Sequence, residues 1–464
     1  MSGQDRSWTI APTLAWFTVF MVALLVRFDG GIEALANRLT TKREATAKQA
    51  GPTFAPPVAV AEVDTADEPA KLPPPPVGSH DVGALADACV DPRGAAPAAC
   101  KQWAMDGYYR AVAQAKQQKL GHAVRVSWYG DSVVADDQMA HRLRDRLQGE
   151  LGDGGPGFVY VIPPHRFNEN NSIRRSQTGT WSPHSISLMQ MPDGLYGVGG
   201  STVESADGGR SVIKLATGKI TNLELYYLAL PKGGTATVTA DGIEVIKADT
   251  SGDKAAAWAS GTVAGGAAAI EIRTERRVRL FGIDLENTTG AVVDNLGVVS
   301  TNVKSFANNA AEHWQTELGH RAADLILIMI GANEAEWLAP RDQDTKNYQA
   351  HYEKVLEMIR KGRPEGTCVV VSPTDQAEAK DDGYESRPVM PVLVEAQQKA
   401  AVAQGCAFYS TYAWMGGKGS AAKWFKRGLV SSDFQHLSKK GAEKMADALY
   451  DALATGARTY AKPR

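Results

Sequence analysis

An alternating, β-prone run, Val124-Arg125-Val126-Ser127-Trp128-Tyr129, stops at Gly130-Asp131-Ser132 and gives way to a helical pattern from about Ala135 to Leu151. A strand that breaks at glycine and turns into a helix presents its serine at the carboxyl edge of a sheet, where open α/β sheets place their ligand chemistry. The helix start behind it offers N–H groups with no intrahelical partner, which suit a developing anion. The same alternation of strand and helix resumes from Asp294. Asn302 to His320 is helical in pattern, and Asp324-Leu-Ile-Leu-Ile-Met-Ile330 is a continuous apolar run, as expected of a strand covered on both faces. That run ends at Gly331-Ala332-Asn333-Glu334. A helix from about Thr345 to Lys361, the strand Cys368–Val371, a helix Val389–Gln404, the strand Cys406–Tyr409 and a last helix from near Ser438 follow. Ahead of the first strand, the alanine-rich stretch from Ala98 to Gln118 reads as a helix.

Between these two α/β stretches the pattern changes. Gly152-Asp-Gly-Gly-Pro-Gly157-Phe158-Val159 is a loop whose glycines let backbone approach something closely. A polar, aromatic stretch from His165 to His184 has no period. Short β-prone runs then recur at Val212–Leu215, Leu223–Leu230, Ala236–Thr239, Ile243–Ile246, Ala268–Arg273 and Val278–Leu285, punctuated by Gly, Asp and Asn. This predicts an inserted antiparallel β-sandwich. Such an insert is either a glycan-binding module or a structural addition, and Trp258 in it is either a stacking platform or core.

The amino-terminal pattern is different again. Trp8–Val26 contains no charged side chain and, as a helix, reaches about 28 Å, close to the hydrocarbon thickness of a bilayer. It reads as a single transmembrane anchor, with a cleaved signal peptide as the alternative. Arg27, Arg38, Lys42 and Arg43 outnumber Arg6 across it, which alone favours a cytoplasmic carboxyl-terminal part. Two features outweigh that reading. Residues 45–85 resemble an extended spacer, with Pro73-Pro74-Pro75-Pro76 inside it, and Cys89 and Cys100 enclose a short loop suited to a disulfide. In an oxidising compartment such a bridge contributes about 2–3 kcal/mol; two free thiols are the alternative. Cys368 and Cys406 read as small core residues. The expected organisation is an anchor over 1–30, a Pro/Ala-rich linker over 31–85, two parts of one α/β domain over 86–190 and 291–464, and the β insert over 191–290.

Composition narrows the function. The formal net charge of −2 argues against a nucleic-acid partner, and apolar content of 44% is ordinary for a globular protein. Nine histidines and four cysteines show no zinc spacing, so neither a metal nor a cofactor is expected.

The chemistry lies in a constellation whose members are each weak alone. A serine hydroxyl needs an adjacent base, and His436 is the candidate. A histidine in that role needs an anion to fix its tautomer, and Asp433 reaches the same imidazole if the segment forms one turn. The tetrahedral intermediate needs fixed donors. The candidates are the N–H groups of Ser132 and Gly297 and the side-chain amide of Asn333. One such donor is worth about 2.7–4 kcal/mol.

Gly130-Asp131-Ser132, Gly297, Gly331-Ala332-Asn333 and Asp433-Phe434-Gln435-His436 resemble, in order, blocks I, II, III and V of the SGNH (GDSL-type) hydrolases. The resemblance covers roughly 120–180 and 291–460. It implies a flavodoxin-like three-layer α/β fold, Ser132 as nucleophile, Gly297 and Asn333 in the oxyanion hole, and Asp433 and His436 completing the triad. Block II matches most loosely, because Gly297-Val-Val-Ser-Thr301 lacks the second glycine or asparagine usual there. Within the family, the glycine-rich loop and the β insert resemble the peptidoglycan O-acetylesterase branch, in which a carbohydrate-binding-like domain interrupts the hydrolase. The implied protein is a membrane-anchored serine esterase facing the periplasm of a bacterium and acting on acetylated polysaccharide or peptidoglycan. A polysaccharide O-acetyltransferase using the same triad and a non-catalytic glycan-binding protein are the alternatives. Asp136 and Asp137 are read as favouring the helix start, with a substrate contact as the alternative, His141 as a surface residue, and Glu334 as either orienting Asn333 or not. Trp337, Trp414 and Trp424 either flank a sugar cleft or pack in the core.

Overall fold

The apolar strands run side by side, as their burial on both faces requires. In the computed structural model, residues 79–82, 85–91, 99–381 and 383–460 are described. The expected anchor and most of the linker lie outside them. Among the described residues no helix is long and apolar enough to cross a membrane. Five parallel strands lie in the order Ala291–Gly297, Val124–Gly130, Leu325–Met329, Thr367–Val371 and Ala407–Tyr409. By chain position that is 2-1-3-4-5, the flavodoxin-like order, whose switch point falls between the first and third strands. Leu85–Ala88 and Ser79–Val82 extend the far edge in antiparallel fashion.

Successive side chains on these strands point to opposite faces. Val126, Trp128, Leu325, Leu327, Val369 and Val371 enter one core with the helices Asp106–Lys116, Gln138–Leu151 and Lys439–Tyr460. Tyr129, Ile326, Ile328, Cys368 and Val370 enter another, with the helices Ala311–Arg321, Asp342–Gly362 and Met390–Ala403. The result is helix, sheet, helix.

Between Leu151 and Ala291 the chain forms two antiparallel sheets. One joins Ile243–Asp249, Thr235–Ala240, Ala269–Glu275, Gly209–Leu215 and Ile173–Gly179. The other joins Ala255–Ala267, Ile220–Ala229, Val278–Glu286, Ser201–Ser205 and Ser182–Ser185, with Gly157–Val159 also paired to Val278–Glu286. Leu223 and Leu225 share a core with Ile213, Val238 and Ile272 of the first sheet. Tyr226 and Leu228, on the opposite face, pack with Trp314 of the α/β body. Strands from 157–159, 173–179 and 182–185 thus belong to these sheets although they precede residue 191. The glycine-rich loop approaches the Ala291 backbone: a Cβ at Gly154 would lie 2.5 Å from the Ala291 carbonyl oxygen.

A buried charge cluster joins the sheets to the α/β body. The Arg321 guanidinium, 1% exposed, donates to both oxygens of Asp294 (2.8 and 2.7 Å) and to Asp284 (2.9 Å), and lies 2.6 Å from Glu286. Arg125 donates to Glu286 at 2.8 Å, and Ser127 and the Phe158 N–H donate to Asp294. Burial pushes the Asp284 carboxyl up to about 7, against the pull of Arg321. Removing one partner from a buried cluster strands the others. Arg321→Leu is therefore expected to cost about 3–5 kcal/mol in urea unfolding, whereas loss of the exposed Lys346–Asp342 pair costs under about 1 kcal/mol.

Two disulfides are present. Cys89 joins Cys100, with Cα atoms 6.0 Å apart. Cys368 joins Cys406, which corrects their reading as simple core residues. The parallel register that sets Val369 against Ala407 brings the two sulfurs together, with Cα atoms 4.9 Å apart.

Several elements also differ in extent. The helical pattern after Ser132 is interrupted: Ser132–Ala135 forms a short helix, Asp137 takes a left-handed conformation (φ 63°), and Gln138–Leu151 starts afresh. The helix expected from Ala98 begins only at Asp106, because the preceding residues are held by the Cys89–Cys100 bond and by bridging of Cys89 to Trp103. The stretch from Asn302 divides into a 3-10 turn, Val303–Asn308, and the helix Ala311–Arg321.

Candidate active site

Ser132 follows directly on the strand Val124–Gly130 and opens the short helix Ser132–Ala135. Asp131 caps that helix, its buried carboxylate accepting from the Val133 N–H at 2.9 Å. Burial pushes the Asp131 carboxyl up to about 6, partly offset by this bond and by His436. Gly297 and Met329 lie level with Gly130 on the two neighbouring strands. The segments after all three strands therefore emerge together, beside the switch point.

The hydroxyl, imidazole and carboxylate meet in series. Ser132 Oγ is 2.8 Å from His436 Nε2, and His436 Nδ1 is 2.7 Å from Asp433 Oδ2. Asp433 Oδ1 also accepts the N–H groups of Gln435 and His436, both at 3.0 Å, so the carboxylate folds its own segment into a turn. Phe434 carries the left-handed residue of that turn (φ 56°) and is buried beneath Tyr384 and Phe425, with ring centroids 4.1 and 4.6 Å away. Partial burial raises the Asp433 carboxyl, but His436 and the two N–H groups outweigh it and bring it down to about 2. The hydrogen bond to Asp433 holds His436 above its ordinary 6.5, against desolvation. An ionised carboxylate only accepts. The Nδ1 proton therefore faces Asp433, leaving the Nε2 lone pair for the Ser132 proton.

The remaining members are joined to this series through the backbone. Asn333 Nδ2 donates to the Thr301 carbonyl at 2.7 Å. Glu334 does not orient Asn333. Its buried carboxyl accepts the Val303 N–H at 2.6 Å, and burial pushes it up to about 8. Residues 301–303 are thus held to the segment after the third strand. Gly297 departs from its expected role as a free donor: its N–H is directed to Asn295 Oδ1 at 3.1 Å. Gly297 lies flat against the nucleophile helix, where a Cβ would meet the Ala135 nitrogen at 2.4 Å. In the following turn Thr301 N–H donates to Val298 O, and Ser300 stands at φ 64°. The Ser300 N–H has no hydrogen-bond partner among the described residues.

Other candidates separate by environment. Burial pushes the Asp136 carboxyl up to about 7, against a 3.1 Å bond from the Gln138 N–H. His141 lies 3.8 Å from Asp145 on the helix surface. Trp424 is buried and packs on Trp414, with centroids 5.2 Å apart, so the pair belongs to the core. Trp337 is exposed, with Lys304 over its ring. Trp258 is stacked on His320 at 3.8 Å, which occupies one ring face. Asn168, Asn295 and Ser300 were not singled out from the sequence. The available signal was Asp294-Asn295, two polar residues inside an otherwise apolar strand. Among the described residues no cluster of His, Cys, Asp or Glu is arranged to hold a metal ion.

Comparison with known proteins bears on the family and the fold. Residues 262–444 match the model of the GDSL-like lipase/acylhydrolase family, a span that includes Asn333, Asp433 and His436 but starts after Ser132. No curated protein matches the chain in sequence. Among solved structures, a peptidoglycan O-acetylesterase is similar over 77% of this chain and 97% of its own, with 23% identity and a TM-score of 0.66, which shows a shared fold. An acetyl-xylooligosaccharide esterase variant from Geobacillus Stearmophilus aligns over 35% of this chain and 73% of its own, with 18% identity and a TM-score of 0.26. The YXIM protein from Bacillus subtilis aligns over 59% and 98%, with 13% identity and a TM-score of 0.27. The chain is thus similar over residues 262–444 to the GDSL-like lipase/acylhydrolase family, within a fold it shares with a peptidoglycan O-acetylesterase.

Proposed function

We propose that the protein is an esterase that removes O-acetyl groups from a cell-wall or surface polysaccharide, with peptidoglycan as the leading substrate. The observation that carries this is the hydrogen-bonded series Ser132–His436–Asp433 at the switch point of the sheet. The likeness to a peptidoglycan O-acetylesterase over most of both chains supports the substrate.

Ser132 Oγ attacks the acetyl carbonyl carbon while His436 Nε2 takes its proton. The carbonyl oxygen becomes an oxyanion, held by the Ser132 N–H, the Asn333 amide and, in place of Gly297, the Ser300 N–H. The sugar oxygen leaves with the proton returned by His436, and acetyl-Ser132 remains. Water then attacks the acetyl group, His436 accepts its proton, and acetate departs as Ser132 regains its hydrogen. Asp433 stays ionised throughout and stabilises the imidazolium.

The two antiparallel sheets serve as a carbohydrate-binding-like domain in this reading, and Trp8–Val26 tethers the enzyme with its catalytic part outside the cytoplasm. Two disulfides support an oxidising compartment. The test is acetate release from purified, acetylated cell-wall glycan, with Ser132→Ala as control. Release by the wild type alone is expected. No release above the control overturns the assignment, and acetylated oligosaccharide formed faster than acetate would make the enzyme a transferase.

A further inference from the structure

We propose that Asn295 is a positioning residue, whose single carboxamide holds the nucleophile helix, the loop at 168–171 and the Gly297 peptide in one arrangement. The inference rests on the reading of Ser132 as an acyl-accepting nucleophile. Asn295 is buried on the strand Ala291–Gly297, paired with Trp128 of the nucleophile strand. Its Oδ1 accepts the Gly297 N–H at 3.1 Å. Its Nδ2 lies 3.2 Å from Asp137 Oδ1, 3.3 Å from the Ala135 carbonyl and 3.3 Å from the Glu169 carbonyl. Ala135 ends the helix that Ser132 begins.

The surroundings are equally committed. The fully buried Asp137 also accepts the Asn171 N–H at 2.6 Å and faces the Arg144 guanidinium at 3.5 Å. Arg144 in turn donates to the Val293 carbonyl on the Asn295 strand. From the other side, Asn168 Nδ2 donates to the Gly297 carbonyl at 2.6 Å. Both polar groups of Gly297 are therefore gripped by side-chain amides. The turn Val298–Thr301 departs from that point, anchored by the Val298 N–H on Gly130 O, and carries the unpartnered Ser300 N–H. Displacing Gly297 displaces this turn relative to Ser132, and donor misplacement of about 1 Å costs up to about a hundredfold in rate.

The carboxamide is chemically specific here. Its oxygen faces a donor and its nitrogen faces three acceptors. An aspartate in its place would keep the bond to Gly297 but turn an oxygen toward Asp137 and two carbonyls. Asn295→Asp should therefore be worse than Asn295→Ala, although it retains the acceptor.

The test is turnover of p-nitrophenyl acetate by the full chain, with active sites counted by a fluorophosphonate that labels Ser132. For Asn295→Ala we expect kcat per labelled site to fall about 10–100-fold with KM within about twofold, and for Asn295→Asp a larger fall. A merely structural role would reduce the number of labelled sites while leaving kcat per site intact, and that result overturns the proposal. Asn295→Asp at wild-type turnover overturns it equally. Should Asn295→Ala lose its cooperative thermal transition, Asn168→Ala carries the test. It removes one bond to Gly297, and a fall in kcat per site of about 3–10-fold is expected; no fall overturns the proposal. Wild-type protein that neither labels nor turns over p-nitrophenyl acetate overturns the esterase reading itself, a result separable from labelled variants with unchanged rates.

Discussion

Replacing Ser132 with alanine is expected to lower kcat for p-nitrophenyl acetate by about a millionfold, to the background left by the oxyanion donors and binding alone. The reason is geometric. His436 Nε2 is 2.8 Å from Ser132 Oγ, and the imidazole is aligned for that hydroxyl by Asp433. Without the hydroxyl no acetyl intermediate forms. His436→Ala should cost nearly as much. Ser132→Ala with His436→Ala combined should cost little more than either alone, since the residues act as one unit. Thermal melts of the single variants should stay close to wild type, because Ser132 is only half-buried and, among the described residues, its side chain bonds only to His436. Residual turnover above about 1% of wild type in Ser132→Ala would remove this serine as the nucleophile.

Asp433→Asn is expected to lower kcat by about 100- to 10,000-fold and to shift the pH profile to lower pH. The amide presents a donor to His436 Nδ1 and favours the tautomer whose Nε2 proton opposes the Ser132 proton. The half-exposed position of Asp433 leaves room for water to soften the effect, which sets the lower bound. In the wild type, neutral His436 is the active form and its pKa is raised above 6.5 by the bond to Asp433. The rate should therefore rise with pH through an apparent pKa above 6.5, and the rise should move downward in Asp433→Asn. Stability has the opposite sense. The proton held by His436 stabilises the fold fully below 6.5, and this is lost as pH rises through the folded value. Asp433, lowered to about 2, contributes above its ordinary 3.8, and this is lost as pH falls toward about 2. A profile unmoved by Asp433→Asn would show that the carboxylate does not govern the imidazole.

Four of the five parallel strands were legible: Val124–Tyr129 from its alternation and its stop at Gly130, Leu325–Met329 from an apolar run that stops at Gly331, and Cys368–Val371 and Cys406–Tyr409 from short β-prone runs; Ala291–Gly297 was not, because Asp294 and Asn295 interrupt its apolar run. The Asp433–His436 pairing was legible because a single turn brings residues three apart to one ring. The long strand Ala255–Ala267 was not, since its alanines and glycines have little β propensity and its place is set by pairing with Ile220–Ala229. The edge hairpin from Ser79 and the hairpin of Ala377–Lys380 with Gly383–Ser386 are short and carry no regular apolar period. The Cys368–Cys406 bond was hidden because only the parallel register juxtaposes the two residues.

Block II shows the boundary most clearly. Gly297 was conspicuous in the sequence, yet its N–H is consumed by Asn295 and its lack of a side chain serves contact with Ala135. Ser300 was inconspicuous, yet it holds the left-handed position that glycine normally favours.

By itself the sequence determined the candidates Ser132, Asn333, Asp433 and His436 and the kind of sheet in which they stand, because strand periodicity, glycine breaks and a local Asp–His turn are all short-range properties of the chain. Only the tertiary structure decided which backbone N–H groups remain available, that Cys368 bonds to Cys406, and how Arg321 ties the β sheets to the α/β body. Those outcomes depend on groups distant in the chain competing for the same hydrogen bonds, and that competition exists only once the strands are in register.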